Sequence, residues 1–292
     1  MSIMRFLVFA LATPLTLFAQ QTFPTPQAAA QALVDASAHN DTAAMLKLFG
    51  PAGKDIVQSG DANDDKAARE QFAAHARTRL RIVTDRDNPN RATIMVGNRD
   101  WPFPVPLIRH NGQWSFDPAR GRVEILARRI GRHELAAIDV CRAYVEAQMA
   151  YASRDRDANG QLEYAQRILS TPGKKDGLYF EGEAATLVPK AFADAAAVLL
   201  QGQGKKPVPY HGYFFHILKA QGPDAPGGSM DYVVKGVMMG GFALVAWPAE
   251  YGVSGIKTFI VNHQGVVYEK DLGGRQVTIF NPDKTWKPVE GE

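Results

Sequence analysis

Asp155-Arg156-Asp157-Ala158-Asn159-Gly160-Gln161-Leu162-Glu163-Tyr164 is the run in which residue type and spacing point most directly to chemistry. Acidic or amide side chains at alternate positions, followed by glycine, suit a loop that wraps a hard cation. Each oxygen turns inward, and glycine permits the bend that brings later ligands round. With Asp155 first, Asp157 stands third, Asn159 fifth, Gly160 sixth, Gln161 seventh and Glu163 ninth. The twelfth position, normally a bidentate Glu, is Gln166, whose neutral amide offers one oxygen and no charge. The expectation is a weak structural calcium site, since extracellular sites work at about 10⁻⁴ to 10⁻³ M. The alternative is an acidic capped turn with no metal.

A second set of chemistry-bearing residues lies in the last third: His211, His216, Asp231, Glu250, Ser254 and His263. A histidine beside a carboxylate performs general acid–base chemistry if the side chains converge. His211, Glu250 and Asp231 are the candidates for that role. If both His211 and His216 sit on one strand, their spacing puts them on opposite faces and argues against joint metal ligation. No zinc-helix motif, nucleophile elbow or phosphate-binding glycine loop is present in the sequence. A non-enzymatic reading is therefore preferred to a catalytic one.

The elements around these residues follow from periodicity. From Ala119 to Ser153 the pattern is helical, with a break expected near Gly131; Leu135, Ile138, Val145 and Ala152 recur on one face. Arg120, Arg122, Arg128, Arg129 and Arg132 crowd its start, as a solvated hinge or an anion-binding cluster. Leu162, Ala165, Ile168 and Leu169 predict a short helix after the acidic loop, so that helix, loop and helix form a hand-type context. Strands are expected over Gly212–Lys219, Gly241–Trp247, Lys257–Val261 and Val266–Lys270, forming an antiparallel meander packed on the long helix.

The first half reads as a small α+β unit. Thr25-Pro26 caps and opens a helix reaching about Ala38, Asp41 caps a second that stops at Gly50, and a third runs from about Asp64 to Arg79. Strands are expected at Leu80–Val83, Arg91–Val96, Val105–Arg109 and Gln113–Phe116, the last two joined by Asn111-Gly112, a strong hairpin signal. Trp101-Pro102-Phe103-Pro104-Val105-Pro106 is extended and short of amide donors, hence a sheet-edge strap, or an aromatic platform for a ligand. Helices followed by a curved antiparallel sheet resemble the cone fold of nuclear-transport-factor-two-like proteins. The domain division is placed as 20–129 and 130–292.

Residues 1–19 have one early cation, Arg5, then an apolar run broken by Pro14 and ending Leu17-Phe18-Ala19, the pattern of a cleaved export signal. No Cys follows for lipid attachment, and no later run reaches the roughly 20 apolar residues of a spanning helix. A periplasmic or secreted chain of roughly 270 residues is expected, enough for one large domain or two ordinary ones. A hydrophobic content of 46% with 22% charge indicates an ordinary core. A net charge of +3 without a basic, aromatic-laced stripe gives no reason to expect nucleic acid. Cys141 stands alone, so no disulfide forms within the chain.

Several segments resemble a known family: Phe23-Pro24-Thr25-Pro26, Trp101-Pro102-Phe103-Pro104, Ile125-Leu126-Ala127-Arg128-Arg129-Ile130-Gly131, Tyr210-His211-Gly212-Tyr213, Gly241 to Gly252, and Thr258-Phe259-Ile260-Val261-Asn262. The chain looks like a member of the bacterial family designated domain of unknown function 2950. That resemblance implies an exported protein and supplies no activity. The second half is also similar, more loosely, to the globular heads of type IV pilins and pseudopilins. Those heads pack one helix on an antiparallel meander, and some bind calcium in a loop; this chain lacks the apolar N-terminal assembly helix joined to such a head. Three functional expectations follow: a binding or accessory protein of the envelope with an envelope protein, polymer or small ligand as partner, a hydrolase of an envelope polymer, or a pilin-like assembly component.

Overall fold

The computed structural model describes residues 20–58, 62–156, 158–183, 185–201 and 208–290. The expected export signal, and Asp157 of the acidic loop, lie outside the described residues. The chain is α+β and divides into two compact units, one ending at Ile125 and the other beginning at Leu126.

In the first unit, α1 (Pro26–Ala38) starts as its sequence dictates: Thr25 accepts the Ala28 N–H at 3.2 Å, and proline occupies the first helical turn. Asp41 caps α2 (Thr42–Phe49) by accepting the Ala44 N–H at 2.9 Å. A 3₁₀ turn (Pro51–Gly53) and the short α3 (Lys54–Val57) follow, then α4 (Ala62–Thr78). Arg69 of α4 is buried and donates to Asn40 Oδ1 at 2.6 Å, Thr42 Oγ1 at 3.0 Å and the Val57 carbonyl at 2.6 Å. One guanidinium thus pins α4 to the three segments before it.

Five antiparallel strands complete this unit: β1 (Leu80–Thr84), β2 (Arg91–Val96), β3 (Trp101–Pro102), β4 (Leu107–His110) and β5 (Gln113–Phe116). Their order is β1-β2-β4-β5, with β3 also paired to β2. Alternation on β2 buries Ala92, Ile94 and Val96 against the helices. The hairpin at Asn111-Gly112 has φ of 49° and 79°, the left-handed pair that a tight two-residue turn needs. The proline strap pairs with β2 through Trp101 and Pro102, and Phe103 within it joins a ring cluster with Phe72 (5.0 Å), Phe49 and Phe116.

The helix α5 (Pro118–Ala152) runs without interruption through Gly131, where a break was expected. One glycine costs a helix only about 1 kcal/mol, and the residues after it are held by burial of Ala137, Ile138, Cys141 and Tyr144. Burial pushes the Cys141 thiol up to about 12, which keeps it unreactive at neutral pH.

The second unit adds α6 (Lys190–Gln201), β6 (Tyr213–Leu218), two short ladders and a main sheet. The ladders are β7 (Ala220–Gln221) with β8 (Met230–Asp231), and β9 (Val233–Val234) with β10 (Val237–Met238). The sheet continues through β11 (Ala243–Pro248), β12 (Lys257–Asn262), β13 (Val267–Asp271) and β14 (Lys287–Pro288), with order β14-β13-β12-β11-β6, all antiparallel. This is the expected meander, with β6 at one edge. β11 and β12 bury nearly every residue, including Leu244, Val245, Phe259 and Ile260.

The helix predicted after the acidic loop does not form. Residues 161–170 are extended or irregular, because their backbone groups are taken by distant partners. The Tyr164 N–H donates to the Met238 carbonyl at 2.8 Å, and the Ile168 carbonyl accepts from Tyr179 at 2.8 Å. Gln148 of α5, fully buried, accepts the Ala165 N–H at 2.8 Å and donates to the Ala165 carbonyl at 2.8 Å. Two bonds to the N–H and C=O of one residue hold this segment against α5 in a non-helical form.

Candidate functional site

The segment so held forms one wall of a cavity of about 750 Å³ in the second unit. Its lining is drawn from α5 (Tyr151), the acidic loop and the segment after it (Asn159, Glu163, Tyr164, Gln166, Arg167, Ile168), Asp176, α6 (Ala196), the β6 strand (Phe215, His216, Ile217), Lys219, and the tip of the β9–β10 hairpin (Gly236, Val237). That volume lies within the range of small-molecule sites, but the wall is unusually rich in charges and amides.

Both signs are represented. Asp176 accepts the Thr171 N–H at 2.7 Å and its hydroxyl at 2.8 Å, and Arg167 approaches at 3.8 Å. Burial raises its pKa, but the Thr171 bonds and the Arg167 charge outweigh that and hold it below the usual carboxylate value. Glu163 accepts the Asn159 side-chain amide. Gln166 donates to the Gly236 carbonyl at 2.7 Å and accepts from the Lys219 ammonium at 3.4 Å. His216, on the opposite face of β6 from Tyr213, Phe215 and Ile217, has its pKa lowered by loss of water around the ring and then by repulsion from Lys219. It is therefore neutral at pH 7, with one ring nitrogen free to accept a hydrogen bond.

The acidic loop itself closes on its own backbone. Asp155 uses both carboxylate oxygens, one for the Asn159 N–H at 3.1 Å and the other for the Gly160 N–H at 2.9 Å. Asn159 Oδ1 accepts the Gln161 N–H at 2.9 Å. Ala158 and Gly160 have φ of 60° and 84°, so the chain turns through the left-handed region where glycine was expected to bend it. Asn159, Glu163 and Gln166 line the cavity, whereas the exposed Asp155 and Gln161 belong to the outer turn. Among the described residues no group of three His, Cys, Asp or Glu side chains is placed to hold a metal.

The three residues considered for catalysis stand on separate elements. His211 occupies a left-handed turn position (φ 49°) before β6, not a strand position as its spacing from His216 implied, and its ring lies tilted against Tyr210 with centroids 4.2 Å apart. It lines an apolar groove of about 270 Å³ with Val140, Tyr144, Leu187 and Phe192. Glu250 lies in the β11–β12 connection, where its backbone N–H and carbonyl bond the Ser254 hydroxyl at 2.9 and 3.1 Å. Asp231 ends the small strand β8. Neither Glu250 nor Asp231 lines the groove or the large cavity.

Arg167, Asp176, Lys219 and Gly236 share no local motif, and only the long-range path of residues 161–180 gathers them. Glu134 of α5 accepts the Ile256 and Lys257 N–H groups at 2.9 and 3.0 Å. Among the described residues no helix is long and apolar enough to cross a membrane.

No curated protein and no solved structure matches this chain. A family model does match, over residues 20–289, and its description is "Protein of unknown function (DUF2950)". The segments that suggested this membership, from Phe23 to Asn262, all fall inside that range, and the chain belongs to the DUF2950 family.

Proposed function

We propose that this chain is an exported binding or accessory protein of the cell envelope, and that the cavity beside β6 holds its partner. Export rests on the composition of residues 1–19. The observation that carries the site is the gathering of Glu163, Asp176, Arg167 and Lys219, with Gln166 and neutral His216, around one space of about 750 Å³. Charges of both signs balance, so the wall selects for neither an anion nor a cation. Planar amides and carboxylates supply donors and acceptors for a polar ligand, and such a wall would disfavour a lipid.

The test is a thermal-shift screen of the full chain against envelope-derived amino acids, peptides and glycan fragments, repeated on Lys219→Glu and Glu163→Arg. A ligand of this site raises the Tm of the wild type and fails to do so in both variants. Ligands that act equally on all three proteins would remove the cavity from consideration. The hydrolase reading draws its support from the same cavity, since His216 and Glu163 line it together and a neutral imidazole can take a proton. Turnover of a bound ligand, lost in His216→Gln with binding retained, would favour it.

A further inference from the structure

The edge of β6 has a hydrogen-bonding pattern that its own sheet leaves incomplete. In the antiparallel register Ala243↔Leu218, Val245↔His216 and Trp247↔Phe214, alternate residues of β6 bond to β11 and the others point away. Two flanking bonds fix which are which. The Ala249 N–H donates to the Gly212 carbonyl at 3.0 Å, which sets the even-numbered residues of β6 toward β11. On β11, the His263 N–H donates to the Phe242 carbonyl at 3.1 Å, which sets the even-numbered residues there toward β12 and the odd ones toward β6. Tyr213, Phe215 and Ile217 therefore direct their N–H and C=O groups outward.

At both ends these outward groups are occupied. Tyr213 exchanges two bonds with Tyr210, at 2.9 and 3.0 Å, and the Lys219 carbonyl accepts the Tyr232 N–H at 2.8 Å. Between them, among the described residues, no partner is found for the outward N–H and C=O of Phe215 and Ile217. The cavity runs along this stretch. It is lined by three consecutive residues, Phe215, His216 and Ile217, whose side chains alternate between faces, so it borders the edge of the strand rather than either face.

We propose that this edge is completed by an extended segment of another protein, which pairs with Phe215 and Ile217 as an added strand; the proposal rests on the cavity being the binding site. Four main-chain groups at strand spacing match the alternating donors and acceptors of a peptide backbone, which a sugar or lipid does not reproduce. The occupied ends limit the paired stretch to a few residues. Side chains of the added strand alternate in step with β6. One set meets the face of Phe215 and Ile217, where Ile168 and Ala196 also line the cavity, and the other meets the face of His216. The segment is thus one of alternating apolar and polar residues.

The probe is a linear heptapeptide selected on the full chain from a random phage-displayed library and then synthesised. Its binding should slow exchange of the Phe215 and Ile217 amide protons, which have no hydrogen-bond partner among the described residues of the free protein. N-methylation of the peptide at alternate residues should weaken binding about tenfold or more in one parity and little in the other, because only one parity faces β6. Ile217→Pro removes an outward N–H while sparing the ladder to β11, and should weaken binding similarly. If a peptide binds, loses affinity in Lys219→Glu and Glu163→Arg, but leaves both amides unprotected and both methylation parities equal, strand addition is wrong and the cavity stands. Peptide binding that ignores those cavity variants overturns both readings. Failure to select any peptide overturns strand addition, and so does a concentration-dependent dimer of the chain that Ile217→Pro abolishes, since the edge then pairs with a second copy.

Discussion

Gln166 donates its side-chain amide to the Gly236 carbonyl at 2.7 Å, across 70 residues of chain, and its oxygen accepts from Lys219 at 3.4 Å. One neutral side chain therefore ties the β9–β10 hairpin tip to the cavity wall. The tip is a tight turn, with φ of 52° at Lys235 and 85° at Gly236, on a ladder of only two residue pairs. Such a hairpin has little stability of its own. Gln166→Leu should cost about 1 kcal/mol in urea unfolding. Its distinctive effect should be faster amide exchange across residues 233–238, with the main sheet unchanged. Unchanged exchange at the hairpin would mean that the tip is held by something other than Gln166.

What the sequence made legible was what short-range physics controls. Thr25-Pro26, Asp41 and Asn111-Gly112 act through bonds spanning three or four residues, and each sits where it was expected. The four strands of the meander were equally readable, because their apolar runs are bounded by turn residues. The helix expected at Leu162, Ala165, Ile168 and Leu169 failed for the opposite reason. Its spacing matches a helix, but Ala165 pairs with Gln148 and Tyr164 with Met238, contacts that no local window contains. The cavity was illegible on the same grounds: its charges lie at positions 163, 167, 176 and 219, with no motif between them. Of the acidic-loop residues singled out in the sequence, Asn159, Glu163 and Gln166 line the cavity, while the partners that share it carry no local signal.

Glu134 makes the strongest single-residue prediction for stability. One carboxylate oxygen, half-buried, accepts two consecutive N–H groups at 2.9 and 3.0 Å and so fixes the start of β12 to α5. Bonds to a charged acceptor are worth about 1.5–3 kcal/mol. Glu134→Ala, which leaves both amides without that acceptor, should cost about 2–3 kcal/mol. Glu134→Gln keeps an oxygen in place and should cost clearly less. Equal losses in the two variants, measured by urea denaturation, would show that only packing is lost.

For the acidic loop, we propose that the turn closes on its own amides and that calcium contributes little. Both Asp155 oxygens already accept backbone N–H groups, Gln166 is engaged by Gly236 and Lys219, and no second helix follows to form a hand. Asp155→Ala should therefore lower stability by about 1 kcal/mol in calcium-free buffer, the usual effect of losing a cap. Wild-type Tm should not move at millimolar calcium. A calcium-dependent rise that Asp155→Ala abolishes would reinstate the cation as a structural clip at Asp155, Asp157, Asn159, Gln161, Glu163 and Gln166.

Two histidines are expected to contribute to the acid limb of stability. His216 has its pKa lowered by burial and by Lys219, and His263 by burial alone, both from an ordinary value of 6.5. His263 Nδ1 is buried without a partner among the described residues, packed where Gly241 leaves room for it. A folded-state pKa below the unfolded one means that the unfolded chain binds more protons between the two values. Stability is then complete above about pH 6.5 and is lost as pH falls toward the folded-state values. The lowered carboxylates Asp100, Asp176 and Asp283 act only below their ordinary value of 3.8, so the two windows separate. The Tm of the wild type should decline as pH falls below about 7, and His216→Gln combined with His263→Gln should flatten that decline. The same double change should leave the carboxylate-driven loss at lower pH in place. A wild-type Tm that holds level down to about pH 5 would show that neither ring resists protonation in the folded chain.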